Sequence, residues 1–375
     1  MRRSTRRAPA VLVAPDKYKG CLTAADVGRH PADGLAAGGM RPRVLPLADG
    51  GDGSVDAALS AGFRLRRVAV RGHDGPDHAA PVAFDGRTAV IEVAATCGMR
   101  TLPPGVSAPL ESSTYAVGQA ILATLGWGVR RIVLALGGSA STDGGAGMLA
   151  ALGAVFTDDR GRRIDPCGGT VGDIAHVDLS ALADLSHLDL LAATDVTHVL
   201  TGAQGAAAVY GPQKGATERE VRLLDAGLEN LVTVLDRAGL DARRAAATPG
   251  AGSAGGLGFA ALLIGADPVP GADFFLDLLR FDEQVIGASL VVTGEGRLDT
   301  QTFAGKLPTA ISRRSAPVPV VAVVGARDLT DTDLAASGFR AVYALTDLSD
   351  QDTRSDPVLA GRLLEHVGRH IAHQS

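Results

Sequence analysis

Residues Arg131–Gly147 read R-I-V-L-A-L-G-G-S-A-S-T-D-G-G-A-G. The run Arg131–Leu136 is short, apolar and rich in branched side chains, the mark of a buried strand. It stops at Gly137 in eleven residues that hold five glycines and three hydroxyls, and a helix is expected to open near Gly144. At such a strand–turn–helix junction backbone N–H groups converge, and the helix dipole favours an anion. Glycines let a phosphate approach without interference from a Cβ. Gly137, Gly138, Ser139, Thr142, Asp143, Gly144 and Gly145 are therefore candidate cofactor-binding residues, Ser141 adding a further hydroxyl. Asp143 has two readings: it caps the helix, or it reaches a metal.

The same rhythm recurs on both sides. Ala10–Ala14 leads into P-D-K-Y-K-G, Val44–Leu47 into A-D-G-G-D-G, Ser289–Val292 into T-G-E-G-R-L-D and Val318–Val324 into G-A-R-D. Thr88–Val93 and Leu188–Thr194 are further strand candidates. Helical spacing marks Thr23–Ala37, Thr114–Leu125 and Glu218–Leu240. Strands alternating with helices imply parallel βαβ units, whose ligands bind beyond the carboxyl ends of the strands. The expected fold class is α/β in two domains. Residues 1–85 plus 285–375 form a Rossmann/flavodoxin-like doubly wound sheet, and 86–284 form an inserted second α/β domain.

Composition agrees with a globular enzyme of this kind. At 375 residues the chain exceeds one ordinary core. Its 46% apolar and 21% charged residues are typical, while 48 glycines are nearly twice the usual ~7%. A net charge of −5 and 4% aromatics argue against nucleic acid as a partner. No apolar run reaches the ~20 residues that span a bilayer, so no membrane partner is expected. Arg2, Arg3, Arg6 and Arg7 are followed by no apolar h-region, which reads as a frayed tail and not a secretory signal. Three widely spaced cysteines suit a reducing cytoplasm and offer no zinc site. A monomer or homodimer is expected.

Of 36 basic residues only four are lysines: Lys17, Lys19, Lys214 and Lys306. All four sit in or beside glycine-rich turns. They are candidates for work that a planar guanidinium does poorly, such as a compact point charge on phosphate. Lys19 and Lys214 carry this argument better than Lys17, whose side chain is expected to point away across its turn.

Three further clusters carry carboxylates. In Ala48–Ser54, A-D-G-G-D-G-S, Asp49 and Asp52 either hold Mg²⁺ or cap their turn. In Thr293–Lys306, T-G-E-G-R-L-D-T-Q-T-F-A-G-K, Glu295 and Asp299 are metal or proton acceptors and Arg297 is shaped for a carboxylate. A salt-bridged surface loop is the alternative. Asp195 closes the strand near 194 as a candidate base, or as a solvated strand-end residue. Lys214 lies in Y-G-P-Q-K-G-A-T, where Thr217 caps the next helix. Gly250–Gly255, G-A-G-S-A-G, matches a dinucleotide pattern but follows a helix end and a proline where that fingerprint requires a strand.

Taken together, A-P-D-K-Y-K-G-C-L-T, P-L-A-D-G-G-D-G-S, G-G-S-A-S-T-D-G-G-A-G, G-P-Q-K-G-A-T, G-A-G-S-A-G-G-L-G and T-G-E-G-R-L-D resemble the bacterial type (type 1) of glycerate kinase. The match runs in order from about residue 10 to 330. The resemblance implies ATP and Mg²⁺ as cofactors, D-glycerate as acceptor, 2-phosphoglycerate as product, and an active site in a cleft between two domains. Within that frame Asp49, Asp52 and Glu295 are expected at the metal, and Lys19, Lys214 and Lys306 at the transferring charge. Arg297 is expected at the substrate carboxylate, with Asp195 or Asp299 orienting the attacking hydroxyl. Two departures stand out. The family often carries Glu where Asp52 stands, and His198–Val199 replace an Asn-Pro pair after Asp195. A dinucleotide-dependent oxidoreductase of hydroxy acids and a non-catalytic sugar-acid sensor are the competing classes.

Overall fold

The computed structural model describes residues 8–72, 77–299, 306–330, 333 and 337–374. The arginine-rich leader at 1–7 and residues 300–305 of the polar cluster lie outside the described residues. The chain divides into two compact units, Met1–Asp49 with Ala272–Ser375, and Gly50–Gly271.

The first unit is built on five parallel strands in the spatial order Ala341–Ala344, Val320–Val324, Leu290–Thr293, Ala10–Val13, Arg41–Val44. Numbered along the unit's own chain this is 2-1-3-4-5, the flavodoxin-like doubly wound order. Val11, Val13, Leu290, Val292, Val321 and Val323 fill its buried core, as V-L-V-type runs at a two-sided parallel sheet must. The helix Ala24–Ala37 begins at Thr23, whose side chain accepts from the Asp26 amide. It packs on the helix Pro357–Gln374 at near backbone contact. A Cβ on Gly34 would lie 2.1 Å from the Glu365 carbonyl, and one on Gly368 2.2 Å from that of Pro31. Neighbouring strands Ala10–Val13 and Leu290–Thr293 send their connections to opposite sides, so a topological switch point falls between them.

The second unit carries a six-stranded sheet in the order Asp267–Val269, Asp189–Ala193, Arg131–Ala135, Thr88–Glu92, His78–Phe84, Arg64–Val70. The first four are mutually parallel and the last two antiparallel. Ile91, Ile132, Leu134, Leu228, Leu231 and Phe259 are wholly buried between this sheet and the helices Glu218–Arg237 and Ser253–Leu263.

The expected limits at 85/86 and 284/285 give way to 49/50 and 271/272. The reason is the antiparallel pair Arg64–Val70 and His78–Phe84, which extends the second unit's sheet. Four of the seven residues of Arg64–Val70 are exposed in a row, and no apolar run announces the strand. The strand expected at Val44–Leu47 lies at Arg41–Val44, an edge strand whose exposed Arg41 and Arg43 break the apolar signal. None of the described helices is long and apolar enough to cross a membrane. Cys21, Cys97 and Cys167 form no disulfide.

Candidate active site

The first unit's switch point is formed by two turns tied to each other. After Ala10–Val13 the Asp16 amide donates to the Gly294 carbonyl at 2.8 Å, and Thr293 Oγ1 donates to the Ala14 carbonyl at 2.9 Å. The buried Tyr18 hydroxyl donates to the Val323 carbonyl at 2.8 Å. This pins P-D-K-Y-K-G against three strands, with Lys19 exposed at its tip. A Cβ on Gly296 would stand 3.5 Å from the Lys19 amide, so the Glu295–Gly296 segment runs beside it.

Lys17 does not point away, as the sequence implied. Its Nζ bridges Asp16 at 3.2 Å and Asp49 at 3.7 Å, because burial of Asp16 leaves a carboxylate that needs a cation. Burial pushes the Asp16 carboxyl up to about 7, Lys17 opposing and Asp49 adding to the rise. Two carboxylates therefore crowd one ammonium, a donor set that a divalent cation would balance. Downstream, Arg297 is exposed and hydrogen-bonded to the Asp328 carboxylate. Lys306 Nζ stands 3.8 Å from Asp299. Glu295 and Asp299 are half-buried.

In the second unit the ends of the parallel strands meet the turn Gly50–Gly53. Gly137 donates to the Gly50 carbonyl at 3.0 Å, and a Cβ on Gly137 would fall 2.5 Å from Gly51 Cα. Asp52 pairs with Arg100 at 2.7 Å. Glu92, the last residue of its strand and buried, accepts from the amides of Gly53 at 3.2 Å and Val55 at 3.0 Å. Burial lifts its carboxyl to about 7, the two amides opposing and Asp52 adding to the rise. Neither Glu92 nor Arg100 is among the sequence candidates. A carboxylate closing the apolar run T-A-V-I-E was a readable signal for Glu92; Arg100 had none.

The glycine turn itself is mostly interior. Only Gly137 and Gly138 reach the surface, while Ser139, Ser141, Thr142 and Asp143 are buried. Of Asp143's two readings the structure supports the local one. Its carboxylate accepts from the Thr114 amide and hydroxyl, both at 2.8 Å, and from the amides of Gly145 at 3.0 Å and Gly147 at 3.2 Å. Those bonds hold the turn and the helix Ala146–Ala151 in place. Gly144 and Gly145 serve packing: a Cβ on Gly145 would sit 2.3 Å from Ala260 Cβ. Lys214 is buried too, its Nζ donating to the Ser141 carbonyl at 2.5 Å, so it braces the turn from beneath. Burial brings the Lys214 ammonium down to about 8, with Cys97 and Asp143 opposing. Ser139 Oγ and Ser141 Oγ bond each other at 2.7 Å, and Thr142 Oγ1 is buried without a partner among the described residues.

Asp195 follows the strand Asp189–Ala193, half-buried, as its motif required. The Gly250–Gly255 turn follows the helix Ala242–Ala247 and opens the helix Ser253–Leu263, so it is not a dinucleotide fingerprint. It packs against the Gly137–Gly147 turn instead, with a Cβ on Gly255 only 1.9 Å from the Ser141 carbonyl. Among the described residues no three His, Cys, Asp or Glu side chains are gathered to hold a metal. Mg²⁺ commonly takes one or two carboxylates and completes its shell with phosphates and water.

Glycine-rich turns at the carboxyl edges of two parallel sheets, with carboxylates and cations on them, define an α/β protein of the phosphate-handling kind. Comparison with known proteins narrows this. Residues 11–374 match the model of the glycerate kinase family. Glycerate kinase of Bacillus subtilis (strain 168) is 37% identical over 344 residues, covering 89% of this chain and 90% of the relative. Glycerate 2-kinase of Escherichia coli (strain K12) is 36% identical over 333 residues, 86% of each. The crystal structure of a glycerate kinase 2 candidate from Salmonella typhimurium LT2 superposes with a TM-score of 0.77 at 34% identity, over 98% of both chains. The chain belongs to the glycerate kinase family, and it is accordingly a kinase that acts on an alcohol group.

Proposed function

We propose that the protein transfers the γ-phosphoryl of ATP to the 2-hydroxyl of D-glycerate, giving 2-phosphoglycerate. The observation that carries this reading is the surface exposure of Gly137–Gly138 at the strand end, beside the Asp52–Arg100 pair. That corner offers the exposed Gly138 backbone to phosphate and a guanidinium to its charge. The name of the Escherichia coli relative favours the 2-position.

Phosphoryl transfer asks a protein for positioning and for neutralised charge more than for covalent help. Some of Asp49, Asp52 and Glu295 would hold Mg²⁺, which would supply positive charge against the phosphates. Lys19 and Lys306 would sit against transferring charge, while Lys214 keeps the turn in shape. Arg297, which already takes a carboxylate from Asp328, would take that of glycerate. Asp195 or Asp299 would orient the attacking hydroxyl. The test supplies purified protein with ATP, Mg²⁺ and D-glycerate, then enolase without a mutase. Phosphoenolpyruvate is expected. ADP without phosphoenolpyruvate would move the product to the 3-position, and absence of ADP would defeat the reading.

A further inference from the structure

A cavity of about 230 Å³ opens within the second unit, lined by Arg71, Thr96, Glu111, Ser112, Tyr115 and Asp165 among others. We infer that it receives the nucleoside end of the phosphoryl donor. The inference rests on the kinase reading above and deepens it.

Three observations carry it. The first is an unsatisfied group: Ser112 is 4% exposed, and its Oγ is buried with no hydrogen-bond partner among the described residues. A buried hydroxyl left unpaired is costly, and rotation of the Ser112 side chain onto a ligand's polar edge would relieve that cost. The second is size and charge. The volume is below the ~300–1,000 Å³ that encloses a whole ligand of drug size, so part of a larger molecule enters. Glu111 and Asp165 outnumber Arg71, and the Arg71 guanidinium lies 3.9 Å over the Tyr115 ring. Such a lining repels phosphate or glycerate. It suits a neutral base that bonds to hydroxyls, and a ribose diol that donates to carboxylates.

The third is continuity with the phosphate corner. Cys97 and Ala140 line the cavity, and Ala140 donates to the Cys97 carbonyl at 3.0 Å. One step on, the Met99 amide donates to the Gly138 carbonyl at 3.2 Å, and Arg100 follows with its bond to Asp52. The cavity wall thus runs within two residues into exposed Gly138 on one chain segment and into Arg100 on the other. A nucleotide with its base in the cavity would extend its phosphates toward both.

Full-length Ser112→Leu, which fills the cavity, should raise KM for ATP by ~10-fold or more while KM for D-glycerate stays within ~2-fold. Ser112→Ala guards against a folding defect. It should fold as the wild type and raise KM for ATP by ~2–10-fold, the worth of one neutral hydrogen bond. Calorimetric titration with ADP alone should show the same weakening without any need for turnover. An unchanged KM for ATP and unchanged ADP affinity in both variants would overturn the inference. So would a rise confined to KM for glycerate, which would give the cavity to the acceptor. Failure of the kinase reading looks different: the wild type would form no ADP from ATP and glycerate.

Discussion

Lys214 and Lys19 show how one compositional bias hides two physical tasks. Lys214 is a buried ammonium whose deprotonation is favoured by burial, its value falling from 10.5 to about 8. Between those limits the unfolded chain binds more protons than the folded one, so this site makes stability rise with pH across about 8–10.5 and gives no pH dependence below 8. Urea unfolding of wild type and Lys214→Met across this window should show the wild type gaining on the variant, by at most ~3 kcal/mol. A pH-independent difference would mean that the ammonium is solvated. Lys19, exposed on a turn pinned by Tyr18, is a point charge offered outward. Lys19→Arg should lower kcat by ~10-fold or more with little change in stability, since a bulkier, planar head misplaces the charge. Near wild-type turnover would remove Lys19 from the reaction. Sequence alone could not separate the two lysines, because each directly precedes a glycine in a turn and only burial distinguishes them.

At the scale of elements, what was legible followed from burial on both sides. Ala10–Val13, Arg131–Ala135 and Val320–Val324 lie inside parallel sheets, and a strand covered on two faces must write itself as an apolar run. Arg64–Val70 is half-covered and carried no such run. Site residues divide in the same way. The turns were visible because glycine is needed where backbones touch, but which turns face ligand and which face core was not. The contact between Gly255 and Ser141 is the sharpest case. Gly255 has φ +68 and a Cβ there would lie 1.9 Å from the Ser141 carbonyl, while Ala254 beside it already holds φ 52. Gly255→Ala should cost ~3 kcal/mol or more, and thermal unfolding would measure it. Gly202→Ala, also at positive φ but with open space around its Cβ, is the control and should cost ~1 kcal/mol.

For the molecule as a whole, two hydrophobic clusters of the described residues fall one within each unit. The buried members of the larger cluster run from Val68 to Ala266, and those of the first sheet's cluster lie within Val11–Met40 and Leu290–Ile371. A fragment Gly50–Gly271 should therefore fold cooperatively by itself, seen as a single unfolding transition with native-like near-ultraviolet dichroism. A fragment lacking that transition would show that the second unit needs the first to hold its shape. The chain's two crossings between units bear on the same matter. A Cβ on Gly50 would stand 3.3 Å from Gly271 Cα, so the inserted unit begins and ends at one place. Its ends can be joined by a linker of a few residues and reopened elsewhere. Circular permutants of Gly50–Gly271 with new termini at an exposed loop such as Asp159–Arg160 become accessible. The host sheet could in turn be closed by a comparably short splice from Asp49 to Ala272.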